Sequence, residues 1–137
     1  MKFINSCTDK EIRMSEVIVE HKGKEFAGFA NCHPNDIWSD YIGCKFAELR
    51  ATLKALKYEY KIEKAKVDEI QKFIAIVEQY KNFNKEDGTA KAMYRQLNRR
   101  LKNLKAIEED IDMIKKTIKA RLKALDKTNQ ILKDKKS

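Results

Sequence analysis

Two short runs rich in apolar residues lie near the start of the chain, at residues 16–20 and 25–32. The segment between them, 21–24, contains a glycine, and two such runs around a glycine turn are typical of a β-hairpin. Residues 2–5 are a candidate third strand. Pro34 ends the second run because proline has no amide hydrogen for a strand ladder.

From about residue 36, the apolar positions advance in steps of three and four, which places them on one face of a helix. A first helix is predicted over 36–80, with Asn35 or Asp36 as its N-cap. Glu63 is a polar interruption of its apolar face. The other positions on that face are Ile42, Phe46, Leu49, Leu53, Leu56, Tyr60, Val67, Ile70, Ile74 and Val77.

Residues 81–88 are polar and combine Asn, Asp and Gly, which predicts a turn. A second helix is predicted over 89–134, with Thr89 as its N-cap. Its apolar positions are Leu97, Leu101, Leu104, Ile107, Ile111, Ile114, Ile118, Leu122, Leu125 and Leu132. Two helices of about 45 residues joined by a short turn predict an antiparallel hairpin. One helix face could instead serve a second copy of the chain, and Ile62, Phe73 and Ile76 off the first face favour such a dimer.

The fold class is therefore α+β and mostly α: a short N-terminal β-hairpin or small antiparallel sheet, then a long antiparallel helical hairpin of the coiled-coil type. Residues 1–35 are expected to pack on the start of the first helix, with 36–137 forming the hairpin. The length of 137 residues suits one domain, and 37% charged residues with four glycines and one proline suit long helices.

No apolar stretch is long enough to span a bilayer, and the start lacks the apolar core of a signal peptide. Three cysteines at irregular spacing form no disulfide framework. We therefore expect a chain in the cytoplasm of its host cell.

The net charge of +9 lies in the second helix and its tail. Residues 1–88 hold 15 Lys/Arg and 15 Asp/Glu, whereas residues 89–137 hold 15 and 6, which leaves 15 − 6 = +9. Such segregation indicates a surface for nucleic-acid phosphate; the alternative is a solvated face that keeps the protein in solution. The candidate contact residues are Arg95, Arg99, Arg100, Lys102, Lys105, Lys115, Lys116, Lys119, Arg121 and Lys123.

Arg95, Arg99 and Arg100 are expected to present two or three guanidinium groups on one side of one helical turn, and arginine forks suit phosphate. Tyr94 beside them either stacks on a base or packs in the hairpin. A membrane is not expected as a partner, because the apolar face of the second helix is used by the first helix.

Catalytic and metal-binding patterns are absent from the sequence. It holds no Ser/His/Asp arrangement, no Gly-rich phosphate loop and no HExxH. Cys32 and His33, with Cys7 and Cys44, lack the paired spacing of zinc ligands. We therefore expect no enzyme, no metal and no cofactor.

Residues 28–36 and 42–51 carry the pattern G-x-A-x-C-x-P-x-D…G-x-x-x-A-x-x-R-A. This pattern resembles small bacteriophage and prophage proteins, in which a β-hairpin leads into a helix, similar to the β–α half of a double-stranded-RNA-binding-type domain. The resemblance implies a viral or mobile-element origin. Physically, Gly28 and Gly43 allow close approach of strand and helix, and Ala47 and Ala51 keep the helix face flat.

Three functional hypotheses follow. The first is a phage accessory protein that binds nucleic acid or a nucleoprotein through the basic helix and inhibits a host defence system. The second is an inhibitor of the anti-CRISPR type that contacts a Cas nuclease directly, with Trp38 and Tyr41 as contact residues unless they pack on the β-hairpin. The third is a structural coiled-coil dimer with no ligand.

Overall fold

The computed structural model describes residues 1–9, 11–32, 39–80 and 82–136. Its elements are β1 (Lys2–Asp9), β2 (Met14–His21), β3 (Lys24–Asn31), α1 (Asp40–Glu78) and α2 (Gly88–Lys136). Helix accounts for 69% of the described residues, so the predicted α+β, mostly α, fold class is confirmed.

The three strands form one antiparallel sheet in the order β1-β2-β3. Lys22 and Gly23 alone connect β2 to β3, and both have a positive φ, of 52° and 79°. This is the backbone of the tight hairpin turn that matches strand twist, and glycine adopts it without strain. The candidate third strand exists, and it is longer than predicted because β1 pairs with β2 as far as Asp9.

At the start of each helix, a side chain accepts a hydrogen bond from one of the first amide groups. The capping residues that the structure shows are not the ones predicted. The Ser39 hydroxyl accepts a hydrogen bond from the Ile42 amide at 3.1 Å and caps α1; Asn35 and Asp36 lie outside the described residues. At α2 the cap is Asp87, whose Oδ1 accepts from the Thr89 amide at 3.2 Å. The prediction of Thr89 was wrong because it overlooked the carboxylate two residues earlier, which also suits the positive end of the helix dipole.

The chain divides into two compact units. The first unit is Met1–Lys57 with Ile111–Ser137, and the second is Tyr58–Asp110. The first holds the sheet, the start of α1 and the end of α2. Within the first unit, the start of α1 shares a core with the sheet.

The core of the first unit lies where β2 and β3 meet α1. Its buried members are Val17, Val19, Ala30, Phe46, Ala47, Ala51 and Ala55, and Leu125 of α2 packs against them. Gly28 faces α1 so closely that a Cβ there would lie 2.0 Å from the Ala47 carbonyl oxygen and 2.4 Å from the Ala51 nitrogen. The close approach expected of Gly28, Ala47 and Ala51 is confirmed.

The outer edge of β3 is covered by two cations from α1. Arg50 Nη1 donates to the Phe29 carbonyl and Lys54 Nζ to the Ala27 carbonyl, each at 2.7 Å. The Lys54 ammonium also lies 5.4 Å from the centre of the Phe29 ring. Exposed carbonyl groups on an edge strand can pair with another chain. These two cations occupy the carbonyls, and their donor groups are thereby engaged within the fold.

The second unit shows the predicted antiparallel hairpin directly. Tyr60 bonds to Glu108, Glu63 to Arg100 and Glu78 to Tyr94, so the partner number falls as the position along α1 rises. The buried apolar residues of this unit are Val67, Ile74, Ala90, Leu104 and Ile107.

One position of the predicted apolar face differs in the second unit. Leu101 is 37% exposed, whereas the Arg100 side chain is only 25% exposed. Arg100 takes the inward position because Glu63, the polar interruption noted in the sequence, lies opposite it on α1. Phe73 and Ile76, predicted to lie off the main face, are both 56% exposed.

Replacing Gly28 with alanine is expected to destabilise the first unit. The new methyl group would collide with backbone atoms of α1, which cannot rotate away. We expect the melting temperature to fall by about 10 °C, from an overpacking cost of about 2–3 kcal/mol. Circular dichroism measures this, with Gly88→Ala as the matched control, since a Cβ at Gly88 meets nothing within 4 Å. Equal melting temperatures for the two variants would contradict the packing described.

Candidate nucleic-acid interface

Nine of the exposed cations of α2 are residues predicted as contacts, and they fall into two groups, one in each unit. The Arg95 group, in the second unit, comprises Arg95, Arg99, Lys102 and Lys105. The Lys116 group, in the first unit, comprises Lys115, Lys116, Lys119, Arg121 and Lys123. All nine of these residues were predicted from the sequence, and all nine are exposed.

Helical spacing aligns most members within each group. Arg95, Arg99 and Lys102 are separated by four and three residues, and Lys116, Lys119 and Lys123 by three and four. Side chains at these separations lie on one face of a helix. Each unit therefore presents a row of at least three cations to solvent.

None of these nine cations has a carboxylate within 4.0 Å among the described residues. On α1, Lys64 pairs with Asp68 at 3.2 Å and Lys45 lies 3.9 Å from Glu48. Four other exposed lysines of α1 have no carboxylate within 4.0 Å among the described residues: Lys57, Lys61, Lys66 and Lys72. At the start of α2, Lys91 is paired with Glu86 at 3.1 Å. Much of the surplus charge seen in the sequence is thus carried by side chains that form no ion pair within 4.0 Å in the described part of the chain.

Arg95 and Arg99 flank an open recess. Its lining is completed by Ala92 and Gln96. The two arginines lie one turn apart, about 6 Å along the helix axis. Their donors can therefore reach one anionic group, or two adjacent ones, from the same side.

Arg100 does not join this recess. Its Nη1 lies 3.4 Å from Glu63 Oε1, and the two side chains are only 25% and 14% exposed. Its Nε is buried without a hydrogen-bond partner in the described part of the chain. Of the two or three guanidinium groups expected on one side of the helix, the structure therefore places two there, those of Arg95 and Arg99. A step of five residues turns Arg100 away from Arg95 and towards α1.

The Tyr94 side chain is half-buried and is bonded to α1 instead of standing free on the α2 surface. Its hydroxyl donates to the Glu78 carboxylate, and this hydrogen bond raises the pKa of the Tyr94 phenol above its ordinary value of 10.0. Tyr60 is held alike, since its bond to Glu108 at 3.0 Å raises the pKa of Tyr60. The phenol that was a candidate for base stacking already has a protein partner.

Of the two predicted protein-contact residues, the structure describes only Tyr41. Tyr41 lies in the first turn of α1 and is 72% exposed, with the Lys45 ammonium 5.5 Å from its ring centre. It therefore does not pack against the sheet, which was the alternative for this residue. Trp38 lies outside the described residues.

Metal-ligating side chains are scattered rather than clustered. Across the described ranges, no three His, Cys, Asp or Glu side chains gather as metal ligands would, and His33 falls in a gap between those ranges. Cys7, Cys32 and Cys44 are not in disulfides. Neither α1 nor α2, over its described length, is long and apolar enough to cross a membrane.

Comparison with known proteins adds no family. No protein-family model matches the chain, and neither the curated proteins nor the solved structures contain a match.

The Glu63–Arg100 pair yields a double-mutant test of the hairpin interior. Removing either partner leaves the other charge largely buried and uncompensated. We expect Glu63→Leu and Arg100→Leu each to lower the free energy of unfolding by about 1–2 kcal/mol, and the double variant to lie within about 1 kcal/mol of the parent. Urea denaturation measures all four proteins. Additive losses in the double variant would show that the two side chains do not interact.

The Tyr94–Glu78 bond predicts a pH effect with a definite sign. Because the folded-state pKa of Tyr94 is raised, the bond stabilises the fold below pH 10 and this contribution is lost as pH rises through the folded pKa. Carbon-13 NMR titration of the tyrosine rings should show the pKa of Tyr94 moving back towards 10.0 in Glu78→Gln, with that of Tyr60 unchanged. An unchanged Tyr94 pKa in this variant would mean that the hydrogen bond is absent in solution.

Proposed function

We propose that this chain is a non-enzymatic protein that binds nucleic acid, free or within a nucleoprotein complex, through the exposed cations of α2. The observation that carries the proposal is the set of nine exposed Lys and Arg side chains with no carboxylate partner within 4.0 Å in the described chain. Uncompensated like charges on one helix repel one another, and a polyanion relieves that repulsion while releasing its own counterions.

The larger number of unpaired cations on α2, and the arginines among them, support a binding role over general solubility. Several cations of α1 stabilise the fold, since Arg50 and Lys54 bond to strand carbonyls and Lys64 to a neighbouring carboxylate. A surface meant only to stay hydrated would be served as well by such paired charges. The two rows on α2 lack this pairing, and they are accompanied by arginine, whose planar fork matches phosphate.

A membrane surface fits less well than nucleic acid. Helices that lie on anionic membranes insert an apolar face next to their cations. In the second unit, Leu104 and Ile107 of α2 are buried against the protein. No broad apolar face therefore accompanies the Arg95 group in the described chain, and a soluble polyanion is the better partner for it.

The biological setting that we propose is a phage or mobile element. It rests on the similarity of residues 28–51 to small phage proteins. Within this segment, the glycine and alanine positions serve packing. Proteins of that class act on host machinery, and a host defence nucleoprotein such as a CRISPR effector offers both nucleic acid and protein to bind. Tyr41, 72% exposed at the start of α1, would serve the alternative in which the contact is purely with protein.

The proposal predicts salt-sensitive binding that depends on α2 and not on α1. Fluorescence anisotropy with mixed DNA and RNA, at about 50 mM and about 200 mM salt, should show binding that weakens steeply as salt rises. Arg95→Gln/Arg99→Gln/Lys102→Gln should weaken binding at least about tenfold and reduce the salt slope by about 2–3.

The matched control removes three charges from the other helix of the same unit. Lys61, Lys66 and Lys72 on α1 are exposed, and their replacement by glutamine should change affinity only slightly. Equal losses in both triple variants would show that net charge alone drives binding. No binding at low salt would overturn the proposal and redirect the search to protein partners, beginning with Tyr41→Ala.

A further inference from the structure

We propose, resting on the nucleic-acid function above, that the ligand is double-stranded and that the Arg95–Arg99 recess holds a phosphate of its backbone. Two independent observations point this way. One is the geometry of the recess, and the other is the lack of a free aromatic ring along the described length of α2.

The aromatic argument concerns single strands. Proteins that hold single-stranded nucleic acid stack its bases on aromatic side chains beside a cationic groove. Within residues 88–136 the sequence has one aromatic residue, Tyr94, which is half-buried and whose hydroxyl is bonded to Glu78 of α1. Over its described length, α2 itself therefore offers no fully exposed ring on which a base could stack. Such a surface can attract a backbone, and a duplex presents its backbone with the bases already stacked on each other.

The recess argument concerns how a phosphate is held. Arg95 and Arg99 are exposed, have no ion-pair partner among the described residues and are separated by one helical turn, and Gln96 also lines the recess. Two guanidinium forks and an amide supply donors that converge on an anion with several acceptor oxygens. Lysine supplies a point charge without this directionality. The remaining cations of the Arg95 group, Lys102 and Lys105, attract neighbouring phosphates but do not form a comparable directional binding site.

The first part of the test compares strands. Anisotropy titrations use duplex DNA, duplex RNA, and single-stranded DNA and RNA of equal length and of unrelated sequence. We expect at least one duplex to bind about tenfold or more tightly than either single strand at the same salt. Preference for DNA or RNA duplex identifies the source of the phosphate backbone. Single strands that bind as tightly as both duplexes would overturn the duplex assignment while leaving nucleic-acid binding intact.

The second part separates a phosphate seat from plain charge. Arg95→Lys/Arg99→Lys keeps the charge and removes both forks, and Lys61→Arg/Lys66→Arg on α1 is the matched control, in which the charge is also unchanged. We expect the first variant to bind the duplex about fivefold or more weakly with the same salt slope, and the second to bind as the parent does.

Parent-like affinity of the Arg95→Lys/Arg99→Lys variant would overturn the recess as a phosphate seat. Failure of every nucleic acid to bind the parent would instead overturn the proposed function itself. Circular dichroism checks that all variants keep the parent's helix content.

Discussion

The backbone of β3 lies against α1 at Gly28 with no space for a side chain between them, and the first unit is arranged around this contact. Ala47 and Ala51 supply the flat helix face that allows it, and Val17 and Val19 of β2 close the core beside it. The same proximity brings the long side chains of α1 within reach of the strand edge. Close packing and edge protection are therefore two results of one constraint.

Packing also sorts the charges of the chain. Where a cation faces another element it acquires a partner: Arg50 and Lys54 bond to β3, and Arg100 meets Glu63 inside the hairpin. The nine exposed cations of α2 acquire no carboxylate in the described chain. The interior pair in the hairpin fixes how its helices meet, since displacement would leave a buried charge uncompensated. The solvent-facing cations do not serve the fold, which is why they carry the functional proposal.

Much of this could be read from the sequence, because periodicity and glycine placement determine local structure. The strand–glycine–strand pattern and the steps of three and four predicted the sheet and both helices, and Gly28 with Ala47 and Ala51 predicted the close contact. The burial of Arg100 against Glu63 could not be predicted from the sequence of α2 alone. It depends on which residue of α1 lies opposite, and that register is a tertiary property. Glu63, a lone carboxylate on an apolar face, was the one available signal that a cation had to meet it.

Edge protection was missed for a similar reason. Two cations four residues apart on α1 look like any solvated pair until the strand edge is placed beside them. The candidate interface was easier to predict, because exposed charge on a long helix needs no tertiary partner to be recognised. The helix caps were of intermediate difficulty to predict. Asp87 and Thr89 are both suitable capping residues at the start of α2, and the structure shows that the Asp87 carboxylate accepts the amide hydrogen bond.

The measurement that tests this account most directly is lysine reactivity mapped by mass spectrometry, with and without a nucleic-acid duplex. The account predicts that duplex lowers the acylation of Lys102, Lys105, Lys116 and Lys119 on α2 and leaves Lys61 and Lys66 on α1 unchanged. Protection of the α1 lysines to the same extent, or protection of none of the α2 lysines while duplex is bound, would contradict it.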